Sequence, residues 1–221
     1  MDREIEIALG LTDASTAGSS LTRLRWVFAT CVAISVLNDL LFTLFKDTYG
    51  IYLTDYAAKL LMLLLVLMVW RTLPPAPSNR LSVWTFPLLW LGLVVFSQAI
   101  EPLSVFLGQG WQLFRWPFIE NPWLWWLDLS LGLILVATVE EMVDRRLALA
   151  VLPGPMWGRL VVSSLLFGLA HWGQGYGHMA ETAVFGLVFG LVYLWTGSLK
   201  LVIAAHYAVD FLVFGMGKGE L

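Results

Sequence analysis

Charge is what this sequence has least of. Only 13% of its 221 residues are Asp, Glu, Lys or Arg, and 59% are apolar, whereas water-soluble domains run to about a quarter charged and about half apolar. A soluble globular fold is therefore excluded, and the chain reads as an integral membrane protein. Neither sign of charge dominates: 13 basic residues stand against 16 acidic ones, which gives no reason to expect nucleic acid as a partner. The one cysteine, Cys31, lies in the first apolar run, which rules out an intrachain disulfide. The opening MDREIEIALGLTDASTAGSS lacks the basic start and compact apolar core of a cleavable signal. Residues 1–22 are expected to form a short polar tail. Internal repeats and low-complexity blocks are also missing.

Long apolar runs, by contrast, are plentiful. A spanning helix needs about 17–25 mainly apolar residues. Candidates lie at 26–45, 53–70, 83–100, 123–142, 159–172, 180–197 and 199–216. The expected fold is all-α: a polytopic transmembrane helix bundle of about seven to eight spans, forming one membrane domain over 23–221. The fifth run is short unless its helix starts before Gly158 or continues into Gly173-Gln174-Gly175. The last two runs, joined by TGSLK, should be antiparallel neighbours. Residues 101–118 mix aromatics with Pro102, Gly108, Gly110 and Pro117 and read as an interfacial or re-entrant segment. RTLPPAPSNRLS is the clearest loop, because its prolines cannot continue a helix. Gly186 and Gly190 are spaced for close helix approach. Twelve tryptophans suit two aromatic interface belts.

Basic residues set the expected orientation. Arg3, Arg23, Arg25, Arg71, Arg80, Arg145, Arg146, Arg159 and Lys200 fall on one side, and Lys46, Arg115 and Lys218 on the other. Lys59 falls within a span. The richer side is expected to be cytoplasmic, together with the N-terminus.

Against this background the few ionisable residues stand out. Glu140 and Glu141 end the run LSLGLILVATVEE, and Arg145 follows four residues after the second. Ionisable groups at membrane depth are costly and usually functional. Positions i and i+4 share a helix face, so Glu141 can pair with Arg145, while Glu140 lies about 100° round, towards Asp144. Two carboxylates in different surroundings suit acid–base chemistry on water. A helix end with snorkelling charges explains the same residues without a function.

His171 ends LLFGLAH, one turn after Phe167, and Gly168 and Ala170 leave room for a neighbour. Alone, a histidine beside a loop is more often satisfied or interfacial than catalytic. His178, beyond GQGYG, is expected at the interface, where it could help bind substrate. His206 and Asp210 share a face of the last run. They could be glue between helices or a donor pair for an oxyanion. Three such features on neighbouring spans favour an active site. Depth is the difficulty: His171 lies about 18 Å along its helix from Arg159, whereas Glu140 is about 8 Å from Arg145. The two meet only if the fourth helix continues past Arg145 or the fifth begins outside the bilayer.

EEMVDR fits E-E-x-x-x-R, FGLAH fits F-x-x-x-H and HYAVD fits H-x-x-x-N/D, in that order. Over about 125–215 the chain resembles the CAAX protease and bacteriocin-processing (CPBP) family of intramembrane endopeptidases, which places the catalytic motifs within about 123–216. The resemblance implies that Glu140, with His171, activates the attacking water. Glu141 and Arg145 would orient and charge-balance the site, and His206 and Asp210 would face the oxyanion. Phe167 and His178 are candidates for contact with substrate. The family usually has an aromatic residue where Asp144 stands, a glycine where Arg146 stands and, in prenyl-protein proteases, asparagine where Asp210 stands. These departures point to a bacterial branch.

A covalent nucleophile is not evident: Cys31 is remote, and Ser163 and Ser164 have no identified base beside them. Two histidines and a glutamate are an acceptable zinc set, but there is no H-E-x-x-H, and Arg145 would oppose a dication. A glutamic mechanism without cofactor is expected, with zinc as the alternative. The expected substrate is a membrane-associated protein or peptide, cut near its C-terminal region within the lipid bilayer of a bacterial inner membrane. A non-catalytic immunity or regulatory protein on the same scaffold, or a small proton-coupled transporter, would use the same buried charges differently.

Overall fold

The computed structural model describes residues 14–46, 48–75, 85–108 and 111–216. Arg3, Arg80, Lys218, residues 1–13 of the expected tail and the second half of the proline-rich loop, from residue 76, lie outside these. Among the described residues the chain forms seven long helices: α1 (Ala14–Phe45), α2 (Gly50–Val69), α3 (Thr85–Leu107), α4 (Pro122–Val151), α5 (Met156–Leu169), α6 (Tyr176–Thr196) and α7 (Leu199–Met216). No strand occurs among them. The helical membrane bundle expected from the apolar runs is therefore present, and α1, α2, α4 and α6 are long and apolar enough to cross a membrane. Many large apolar side chains face outward, Leu53, Leu64, Leu88 and Trp195 among them. In water this surface would be a liability; in lipid it is the natural exterior.

Helix α1 packs on α2, α5 on α6, and α3 on α6 and α7, while α4 contacts both α2 and α7. That arrangement makes α4 the link between the halves of the bundle. Its start is well specified: Asn121 Oδ1 accepts the N–H groups of Trp123 (3.0 Å) and Leu124 (3.2 Å), and Pro122 stands in the first turn, where its missing N–H costs nothing. The α5–α6 contact is close because Gly186 lies against the backbone of Ser164 and Gly190 against Leu160. A stripe of Ile51, Asp55, Lys59, Met62, Val66 and Val69 is the buried face of α2, at the spacing of a single helix side.

Several boundaries differ from those expected. Helix α1 reaches back to Ala14, within the segment expected to be a polar tail. Helix α4 runs to Val151 instead of ending near residue 142, through two π-helical stretches, Asp128–Gly132 and Met142–Leu147. Such widened turns concentrate at functional sites. Helix α5 has 14 residues, too few for a full span, and starts at Met156. The depth difficulty is resolved by the second of these features: α4 continues past Arg145, which puts its glutamates well inside the bundle.

Residues 111–121 are not helical and lie across the ends of α1 and α2. Tyr52 donates to Pro117 O (2.6 Å), Leu113 N–H donates to Gly173 O (2.8 Å), and Phe114 is buried beside Phe42 and Ile51. At the opposite end, Arg25 donates to Val151 O (3.2 Å) and Arg159 to Leu149 O (3.0 Å), while Arg146 donates to Pro74 O. Arg25, Arg146 and Arg159, three of the arginines expected on one side, are thus gathered at one end of the bundle. Arg145 is not among them, because it points into the interior.

Candidate active site

The glutamate pair does not snorkel. Glu140 is 7% exposed and Glu141 and Arg145 are both fully buried, so these residues form an interior site rather than a solvated helix end. Arg145 Nε lies 2.9 Å from Glu141 Oε2, the i, i+4 pairing expected from the sequence. The guanidinium also sits over the ring of Phe167, 5.3 Å from its centroid, a geometry that favours a desolvated cation.

From α7, His206 enters the same region. Its Nδ1 is 2.8 Å from Glu141 Oε1, and its Nε2 is 3.4 Å from Asp210 Oδ2 and 3.7 Å from Glu140 Oε2. Three carboxylates thus converge on one imidazole. Phe189 of α6 stacks on the ring at 5.0 Å between centroids and fixes its plane. Asp144 is buried, and its backbone carbonyl accepts from Ser163 Oγ (2.5 Å). Among the described residues its carboxylate has no direct partner.

His171 lies just beyond α5, at φ −112° and ψ 23°, near the bridge region where active-site residues recur. Its Nδ1 is 2.8 Å from Phe167 O. A carbonyl only accepts, so Nδ1 carries the proton here and a neutral ring presents Nε2 as an acceptor. The phenyl ring of Phe167 neighbours both histidines, with centroids 5.0 Å from His171 and 6.1 Å from His206. Glu140 and His171 interact electrostatically without a direct ion pair. His178, in the first turn of α6, is half-buried; its ring is 5.7 Å from that of His171, and its Nδ1 is 3.9 Å from Glu181 Oε2.

One side of the site was not foreseen. Lys59 of α2 places Nζ 2.7 Å from Glu140 Oε1 and 3.9 Å from Asp55 Oδ1. Asn38 of α1 donates to Asp55 Oδ1 (3.2 Å), and neighbouring Asp39 accepts from Gly173 N–H (2.7 Å), next to His171. Tyr56 donates to Asp128. The signal was present in the sequence: Asp55 and Lys59 stand one turn apart inside a run of twenty residues. The depth argument that singled out Glu140 applies equally to them.

Two cations, Lys59 and Arg145, therefore hold one glutamate each. Among the described residues no group of three or more His, Cys, Asp or Glu side chains is arranged to hold a metal ion.

Fold and site together define a helical integral membrane protein with an enclosed glutamate–histidine centre. Residues 122–212 match the family model described as type II CAAX prenyl endopeptidase Rce1-like, and the family resemblance carried by EEMVDR, FGLAH and HYAVD is borne out over that segment. Over that segment the chain is thus similar to intramembrane endopeptidases of the CAAX type. No curated protein and no solved structure matches the chain significantly.

Proposed function

We propose that this protein cleaves a peptide bond near the C-terminal region of a membrane-associated protein by direct attack of water, in a bacterial cytoplasmic membrane with its N-terminus inside. Glu140 takes a proton from the water, which His171 Nε2 helps to orient. The water oxygen bonds to the carbonyl carbon. The C–N bond breaks as the proton held by Glu140 passes to the leaving amine, so one water is consumed and two new termini result. His206 Nε2, flanked by Asp210, donates to the oxyanion. For both ring nitrogens of His206 to donate, the ring must carry two protons, and the surrounding carboxylates balance that charge. Glu141 and Arg145 fix the imidazole through Nδ1. Phe167 and the half-buried His178 form the wall that meets substrate.

The observation that supports this most is the convergence of Glu140, Glu141 and Asp210 on His206, with Phe167 next to both His206 and His171. An enclosed polar centre of this kind suits hydrolysis in a medium that excludes bulk water. The mechanism needs no metal: the carboxylates already have Lys59 and Arg145 as counter-charges, and a dication would have to compete with both.

The test is a comparison of protein C-termini in membranes from cells making the wild type or Glu140→Gln. The expected result is a set of membrane-associated proteins shortened at the C-terminus only with the wild type. Identical termini in both would contradict the proposed reaction.

A further inference from the structure

The matched segment starts at residue 122, yet the contact that fixes Glu140 comes from outside it. Lys59 is buried at 7% exposed. A lysine there must neutralise its charge or pair it, and this one is paired at 2.7 Å. Its stem runs from α2, on the stripe that continues as Met62, Val66 and Val69, so the ammonium is delivered by a rigid helix rather than by a loop. Asp55, one turn earlier and tied to Asn38 of α1, holds the ammonium from the other side.

The two oxygens of Glu140 are consequently unlike. Oε1 is bound to Lys59, while Oε2 faces His206 Nε2 at 3.7 Å. We propose that Lys59 is a positioning residue for hydrolysis: by holding Oε1 it locks the carboxylate rotamer and leaves Oε2 as the oxygen that handles the proton of water. This rests on the assignment of Glu140 as the base. It also gives the first half of the chain a chemical role, since α2 supplies one side of the site and α1 braces it.

Two measurements on the full-length purified protein in lipid test the proposal. The first is steady-state cleavage of a membrane protein identified by the C-terminus comparison. Lys59→Gln should lower kcat by about tenfold or more, the scale of one lost charge-assisted hydrogen bond, with KM unchanged. Lys59→Arg, which can still donate to Oε1, should recover most of the loss. A merely structural lysine would not produce that split. The second is a thermal double-mutant cycle of Lys59→Gln, Glu140→Gln and the double variant. The double variant should be destabilised by less than the two single losses combined, because each single change leaves a buried charge without its partner.

Wild-type kcat in folded Lys59→Gln, or additive losses in the cycle, overturns the proposal. If Lys59→Gln does not fold, the Lys59→Arg variant decides: wild-type KM with most of kcat supports the proposal, and a raised KM with normal kcat overturns it. Should Glu140→Gln keep full activity while the thermal cycle still shows coupling, the assignment of the base fails and the ion pair stands.

Discussion

His206 Nδ1 lies 2.8 Å from Glu141 Oε1, a contact that ties α7 to α4 at the centre of the bundle. On its other side Glu141 is held by Arg145 at 2.9 Å. The middle glutamate is therefore the joint of a three-residue chain, and its consequences for stability can be separated from those for catalysis.

Glu141→Gln is expected to lower both stability and activity. Removing one member of a buried ion pair costs about 3–5 kcal/mol, because the remaining charge stays in the interior. Replacing Glu141 and Arg145 together with apolar residues should cost less than Glu141→Gln alone. Thermal unfolding in detergent checks the order of the three proteins. Equal stability of Glu141→Gln and wild type would show that the pair is not buried as described.

Asp210 contacts His206 Nε2 at 3.4 Å through Oδ2. An asparagine keeps a carbonyl oxygen in that place and adds an N–H donor, so Asp210→Asn should retain most of kcat. Asp210→Leu removes the partner and should lower kcat by about 10²-fold, the scale of one oxyanion-stabilising donor disturbed. Parallel kcat measurements on both variants check this. Equal loss in both would mean that the negative charge, not the hydrogen bond, is what the site uses.

Metal dependence separates the two mechanisms that the residue types allow. Protein purified in strong chelator should keep its activity without added metal. Metal ligands must be deprotonated to bind, so a zinc enzyme would instead lose activity in chelator and at falling pH, and regain it with zinc. Elemental analysis alongside the assay checks this directly. About one zinc per active chain, lost together with activity, would replace the glutamic mechanism.

The helices were legible in the sequence because lipid demands long apolar runs, and the three short motifs marked the site because ionisable groups are rare inside them. What escaped notice has physical reasons. The run EEMVDRRLALAV reads as a charged helix end, yet apart from the part-buried Arg146 it is buried through Leu149, because α1, α2, α5 and α7 surround it and Glu140, Glu141 and Arg145 find partners inside. Lys59 and Asp55 escaped because no motif contains them; only their one-turn spacing within an apolar face pointed inward. The position of His171 beyond the end of α5 depends on the 3-10 turn Trp172–Gln174, which follows from tertiary contacts with Asp39 and Val36 and has no local signature.

The most direct test is single-turnover cleavage by wild type and Glu140→Gln, each reconstituted in liposomes with the membrane protein found by the C-terminus comparison. Loss of the base should slow the chemical step by about 10²–10⁴-fold, while binding of the substrate and the thermal unfolding transition remain measurable. A Glu140→Gln variant that cleaves at the wild-type rate would contradict the assignment of this carboxylate as the group that activates water.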